Sequence, residues 1–259
     1  VWAKGKRHSG VVCGGKTGHW ESGVWTALQR AFGVGELAWK PWMVDFGFFK
    51  KERPFWELVT RKLRPGDIAT HAFRAPVPWI GQDGKVYAYL HEARKRGVKF
   101  DVGHGGGSFA FRNAVPAVEQ GFYPDSISTD LHTGSTNNFM MDMPTTMSKF
   151  LAMGMPRKDV IARSTYQAAA LIGQNDLGQI AVGAPADVAA FRMLQGDFKF
   201  GDSDAGTISS KQRLFCELTL REGRIVWDWN ARSGKDYKLL GPAYGVREGE
   251  FIVPPPKMQ

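Results

Sequence analysis

Between Phe100 and His132 the chain twice carries an apolar run into reactive polar residues. The first passage is Phe100-Asp101-Val102-Gly103-His104-Gly105-Gly106-Gly107-Ser108; the second is Asp125-Ser126-Ile127-Ser128-Thr129-Asp130-Leu131-His132. Each reads as a short buried strand, with a helical interval between them. In a parallel α/β barrel the residues at the carboxyl ends of the strands face the mouth where chemistry occurs. An Asp and two His gathered at such ends exceed what a core needs. The pattern points to parallel strands joined by helical crossovers.

The preceding sequence repeats the pattern. Val11 to Lys16 reads as a strand, Trp25 to Phe32 as a helix with Trp25, Leu28 and Phe32 on one face, and Trp42 to Gly47 as a strand with Asp45 near its end. Pro54 to Leu63 reads as a helix, Asp67 to Phe73 as a strand with His71 towards its end, and Val86 to Arg96 as a helix stopped by Gly97. Val98 to Val102 reads as a strand apolar on both faces, Phe109 to Gln120 as a helix, and Ser126 to Asp130 as the last strand of the series. Strand–helix alternation with short connections argues for a parallel sheet. Two further helices are expected, Pro144 to Met153 and Arg157 to Ile172. The texture then changes to short strands and tight turns, with a hairpin around Glu222-Gly223. Residues 1–176 are therefore assigned to an α/β unit, 177–230 to a small β unit and 231–259 to a tail.

Composition excludes several classes. The chain has 259 residues, 43% hydrophobic and 23% charged. No apolar run approaches the roughly 20 residues of a membrane helix. The net charge is +9, but the basic residues are dispersed, so neither nucleic acid nor membrane is expected as a partner. Cys13 and Cys216 have no metal-site spacing and form no disulfide framework, which suits a reducing compartment or simply burial; a cytoplasmic location is expected only by default. The chain opens Val-Trp-Ala-Lys without an initiator Met, and that opening does not read as a signal peptide.

Three passages resemble the amidohydrolase superfamily of metal-dependent hydrolases, close to its deacetylase and dihydroorotase-like branch. They are Phe100 to Phe109 followed by Ser126 to Thr133, Met147 to Pro156, and Leu177 to Ala189. The resemblance spans about residues 11 to 230 and implies the carboxyl-terminal part of a (β/α)8 barrel, strands four to eight, followed by a β-sandwich segment. It also implies one or two divalent ions, zinc by default, held by Lys16 as a carboxylated lysine, Asp45, His71 and Asp130. Asp45 stands where the family has His, and the family's His-x-His pair is absent from this sequence. The implied reaction is hydrolysis of an amide or ester bond in a small molecule by metal-activated water. Asp130 would be the acid and base, with His104, His132 and His19 near the substrate. On the same resemblance the chain alone should be inactive and prone to associate. A second chain or a homo-oligomer would complete the barrel, and a non-catalytic binding protein on the same scaffold is the rival reading.

Each candidate also has a structural explanation. Lys16 can be solvated or ion-paired, Asp45 can be a buried acid bonded to backbone amides, and His71 can be a core histidine. Asp130 can cap the loop that follows it, and His104 can simply shape its glycine-rich loop.

Overall fold

The computed structural model describes residues 13–18, 24–38, 40–47, 50–136 and 139–245. Four short parallel strands lie side by side in chain order: β1 (Gly15–Thr17), β2 (Trp42–Asp45), β3 (Ile68–Thr70) and β4 (Lys99–Phe100). Register pairs Lys16 with Met43, Val44 with Ala69, Asp45 with Thr70, and Ala69 with Phe100. Paired residues of a parallel sheet share a face, and successive residues alternate. Val44, Ala69 and Phe100 therefore form one layer, fully buried and apolar. Met43, Asp45, Ile68, Thr70 and Asp101 lie on the other, mixed face.

That segregation corrects the reading of 98–102 as apolar on both faces. Val98, Phe100 and Val102 are buried on the helix side, whereas Lys99 is half-buried and Asp101 points to the polar side. The segment 126–130 is not a strand either. It joins the sheet through one parallel bridge, Asp101 with Ser126, and through bonds donated by the Val102, His104 and Gly105 amides to the carbonyls of Ser126, Ser128 and Thr129. Its hydroxyls are engaged sideways with Asp101, and Asp130 turns into left-handed backbone (φ 48°), which ends any extended run.

The helices cover the apolar layer. They are α1 (Thr26–Ala38), α2 (Phe55–Glu57, continuing as a π turn over Leu58–Lys62), α3 (Ala88–Lys95), α4 (Phe111–Glu119), α5 (Met143–Ala152), α6 (Arg157–Ser164) and α7 (Tyr166–Leu171). The Asp142 carboxylate caps α5 by accepting from the Thr145 amide at 2.7 Å, with Pro144 in the first turn. The single helix expected from Arg157 to Ile172 is two, broken at Thr165 (φ −132°, ψ −109°). The Thr165 hydroxyl donates to the Ile161 carbonyl, a local bond that competes with helix continuation.

Trp79 is the centre of the core. Its ring meets Phe73 at 4.8 Å, Phe122 at 5.4 Å and Phe100 at 5.5 Å, so a loop residue ties β4 to the covering elements. Beyond residue 187 an antiparallel sheet forms from β5 (Val188–Gly201), β6 (Thr207–Arg221) and β7 (Arg224–Asp228). The β6–β7 turn is Glu222-Gly223, both at positive φ (50° and 76°), the geometry a two-residue hairpin favours. The β5–β6 loop docks on α4, where the Asp202 carboxylate accepts from the Phe111 amide at 2.8 Å. Among the described residues no helix is long and apolar enough to cross a membrane.

Phe100→Ala should cost about 3–5 kcal/mol, the usual loss for emptying a large aromatic site in a core. Urea unfolding of the variant against the parent checks this; a loss under about 1 kcal/mol would mean the cluster can collapse around the gap.

Candidate active site

The carboxyl ends of the four strands and the segment after Ser126 converge around a pocket of about 280 Å³. Lys16, Thr70, Asp101, Ser128 and Asp130 line it, with Met43, Ile68 and Leu171 as its apolar wall. Beside it Asp45 and His71 form a buried pair, with Asp45 Oδ2 3.3 Å from His71 Nε2. The other Asp45 oxygen accepts from the Gly47 amide at 3.0 Å. The other imidazole nitrogen, Nδ1, donates to the Gly103 carbonyl at 2.6 Å. Burial works to lower the His71 pKa, but the Asp45 hydrogen bond and charge, the Gly103 carbonyl and the Asp130 charge act the other way and leave it raised. The stability this contributes is fully present below 6.5 and is lost as pH rises through the raised folded value.

Backbone geometry marks the same residues. His71 (φ 60°) and Asp130 (φ 48°) are both non-glycine residues in left-handed backbone, a conformation that persists only where surroundings impose it. Two glycines make room. A Cβ on Gly103 would lie 2.8 Å from His71 Nδ1, and one on Gly105 would lie 2.8 Å from Asp130 Oδ2. Asp130 itself is exposed at the pocket rim, as is Lys16 on β1.

The remaining candidates are placed differently. His104 is fully buried behind the mouth, stacked on Phe109 at 4.6 Å, so its ring presents no surface to a substrate. Its Nδ1 donates to the Gly105 carbonyl, and its Nε2 accepts from Lys149 Nζ at 2.7 Å. Lys149, in α5, also donates to the Phe139 carbonyl at 2.8 Å. Burial, followed by the Lys149 charge, pushes the His104 pKa down to about 3, and burial brings Lys149 down to about 8. His132 is exposed, with its Nδ1 accepting from the Gly134 amide. His19 lies outside the described residues. Sequence reading missed Asp101, Ser128 and Lys149 as members of this region. The signal for Asp101 was its alternation with Val102 and Phe100; Lys149 had none beyond being a lone cation in an apolar helix.

Asp45 and His71 meet one requirement of a divalent-cation site. Two ligands of one tetrahedral ion, each about 2.0–2.1 Å from it, sit about 3.3–3.4 Å apart, and a ligating imidazole usually donates its second N–H to a carbonyl. The convergence goes no further: among the described residues no group of three or more His, Cys, Asp or Glu could hold a metal ion.

Two outcomes follow from this geometry. Gly105→Ala, forced into left-handed backbone against the Asp130 carboxylate, should lose about 1–3 kcal/mol in urea unfolding. For His104 the sign runs opposite to His71: between about 3 and 6.5 the unfolded chain binds a proton the folded chain refuses, so stability falls as pH drops through that window. His104→Gln should flatten that slope, read from unfolding at about pH 4 and about pH 7.

Known proteins resemble this chain in sequence and in fold. The amidohydrolase family model matches residues 107–213. A deacetylase of Brucella anthropi is 36% identical over 201 residues, 77% of this chain and 48% of its own length. A deacetylase of Agrobacterium fabrum is 35% identical over 201 residues, 77% of this chain and 47% of its own. A dihydroorotase of Methanopyrus kandleri is 30% identical over 118 residues, 43% of this chain and 28% of its own. The chain thus spans about half the length of the deacetylases it matches. Among solved structures, an adenine deaminase superposes with a TM-score of 0.81 at 26% identity, covering 88% of this chain and 63% of that one. A dihydroorotase follows at 0.69 and 27%, covering 83% and 58%. The four-stranded parallel sheet is accordingly part of a (β/α)8 barrel, and the chain belongs to the amidohydrolase superfamily, on its deacetylase and dihydroorotase-like branch.

Proposed function

We propose that this chain carries the reactive mouth of a metal-dependent hydrolase that cleaves an amide or ester bond of a small molecule, in the manner of a deacetylase. The observation that carries the reading is the His71 clamp: one nitrogen on the Gly103 carbonyl, the other facing the Asp45 carboxylate, at the end of a parallel strand. A histidine serving only the core has no need of that arrangement beside an exposed, left-handed Asp130. The naming of two relatives as deacetylases supports acyl removal over ring opening.

Asp45 and His71 would hold the ion, with Lys16, once carboxylated on Nζ by carbon dioxide, and Asp130 as further holders. Zinc suits a His and carboxylate set, and manganese or iron are compatible. Such a cation, when bound, lowers the pKa of water towards neutrality and polarises a carbonyl. The chain's own residues do the rest. Asp130, exposed at the pocket rim, takes the proton of the attacking water on its carboxylate and returns it to the leaving group. Gly105 keeps room for that carboxylate. His132 and His19 are assigned to the substrate side. The apolar wall of Met43, Ile68 and Leu171 favours a small organic acyl group.

Asp130→Asn in the full-length protein should keep the fold and reduce turnover of N-acetyl or O-acetyl compounds by about 10²–10⁴-fold, the usual share of a general base. Near-normal turnover with unchanged metal content would remove Asp130 from that role.

A second reading, that the mouth is completed by another segment or chain, is favoured by two observations. Among the described residues β1 ends the parallel sheet with β2 as its sole strand neighbour. Large apolar side chains including Ile180, Val182, Val226 and Trp227 are exposed. Residues 1–259 expressed alone should then associate and lack activity, which sedimentation and a hydrolysis assay would read together. An active, monodisperse monomer would discard this second reading.

A further inference from the structure

The Asp101 carboxylate is almost wholly buried and accepts three hydroxyl hydrogen bonds from two other segments. Thr70 Oγ1 donates to Oδ2 at 2.7 Å, Ser128 Oγ to Oδ2 at 2.8 Å and Ser126 Oγ to Oδ1 at 2.5 Å. Two of these donors lead directly to His71. Thr70 is the residue before it in the chain. Ser128 Oγ accepts from the Gly103 amide at 2.9 Å, and the Gly103 carbonyl receives His71 Nδ1–H. The backbone that carries the imidazole and the carbonyl that orients it are thus both tied to one carboxylate. The ring of contacts closes: Asp101, Thr70, His71, Gly103, Ser128 and back to Asp101.

Backbone ties at this level are single bonds, the Ala72 amide to the Asp101 carbonyl at 3.0 Å and the His104 amide to the Ser128 carbonyl at 3.2 Å, and they leave the imidazole itself unoriented. The β3–β4 pairing consists of Ile68 with Lys99 and Ala69 with Phe100, ending before Thr70. Past it the chain turns left-handed at His71 and again at Gly103 (φ 46°). A hydroxyl accepting from one amide while donating to a carboxylate fixes direction as well as distance, since its single proton is committed. Bonds to an ionised acceptor are the stronger kind.

We propose that Asp101 is a positioning residue: through Thr70 and the Ser128–Gly103 link it sets the orientation in which His71 presents Nε2 beside Asp45. This rests on the reading of Asp45 and His71 as cation ligands. Asp101 would not touch cation or substrate; its effect is transmitted by the bonds already named. Outer partners of a ligating histidine usually contribute 10–100-fold to metal affinity.

The test strips metal from the full-length protein and measures zinc binding by competition with a chromogenic chelator, alongside thermal unfolding. Asp101→Asn keeps the shape but replaces one acceptor oxygen with a donor; Ser128→Ala removes the Gly103 arm alone. Leu90→Ala, a cavity in the buried face of α3, is the control for lost stability without a change at the mouth. Both site variants should unfold cooperatively and bind zinc about 10-fold or more weakly, with Leu90→Ala binding as the parent does. Should Asp101→Asn fail to fold, Ser128→Ala decides. Parent-like zinc affinity in the folded variants overturns the assignment while leaving the metal reading intact. A parent protein that takes up no zinc overturns both.

Discussion

The parallel ladder between β3 and β4 is two residue pairs long and stops before any reactive side chain. Pairing still sets Lys16 against Met43 and Asp45 against Thr70, but the groups beyond the β3–β4 ladder need further ties. Side chains take over: Asp101 joins Thr70 to Ser126 and Ser128, Asp45 meets His71, and the Gly103 carbonyl receives the imidazole N–H. Glycine is required where these groups crowd the backbone, because a Cβ at Gly103 or Gly105 would press on His71 or Asp130. Short strands free the chain to turn, and left-handed turns at His71 and Asp130 aim side chains that an extended strand would send elsewhere.

Sequence reading recovers what depends on local pattern. Alternation, glycine stops and Pro144 as a helix start give most of the strands and helices in order, and Glu222-Gly223 marks the β6–β7 hairpin. Asp45 and His71 were selected as strand-end residues, and the structure brings them into contact. What it misses depends on distant partners. Asp101 is satisfied by hydroxyls 25 to 31 residues away, and Lys149 meets His104 across 45 residues. The break at Thr165 was hidden by an apolar rhythm that continues through it. Reading 98–102 as uniformly apolar failed because Lys99 and Asp101 occupy the alternate face, the one that matters for chemistry.

The two faces of the sheet meet opposite demands with the same strands. One face packs Val44, Ala69 and Phe100 against helices, where any unpaired polar atom would be costly. The other face collects carboxylates and hydroxyls, and their burial is tolerable because each is bonded to a partner. Asp101 illustrates the economy: three donors satisfy a buried charge that would otherwise oppose folding. A polar inner face that is internally satisfied also stays rigid, which a site for a small substrate needs more than a core does.

His71 and His104 show how that environment assigns roles to the same side chain. Both are buried, and burial alone disfavours a charged imidazole at each. At His71 a carboxylate faces Nε2, so positive charge beside that nitrogen is welcomed. At His104 the ammonium of Lys149 faces Nε2, so positive charge is refused and the ring serves as a neutral acceptor. A site able to attract a cation needs the first kind of neighbour. A loop that must stay neutral and fixed behind that site needs the second. His104 and Gly103 are adjacent in the chain, so the lock on the glycine-rich loop and the carbonyl that orients His71 belong to one short segment. The strand end therefore separates attraction of charge from rigidity by a single residue step, and the buried Lys149 secures the loop from behind the mouth.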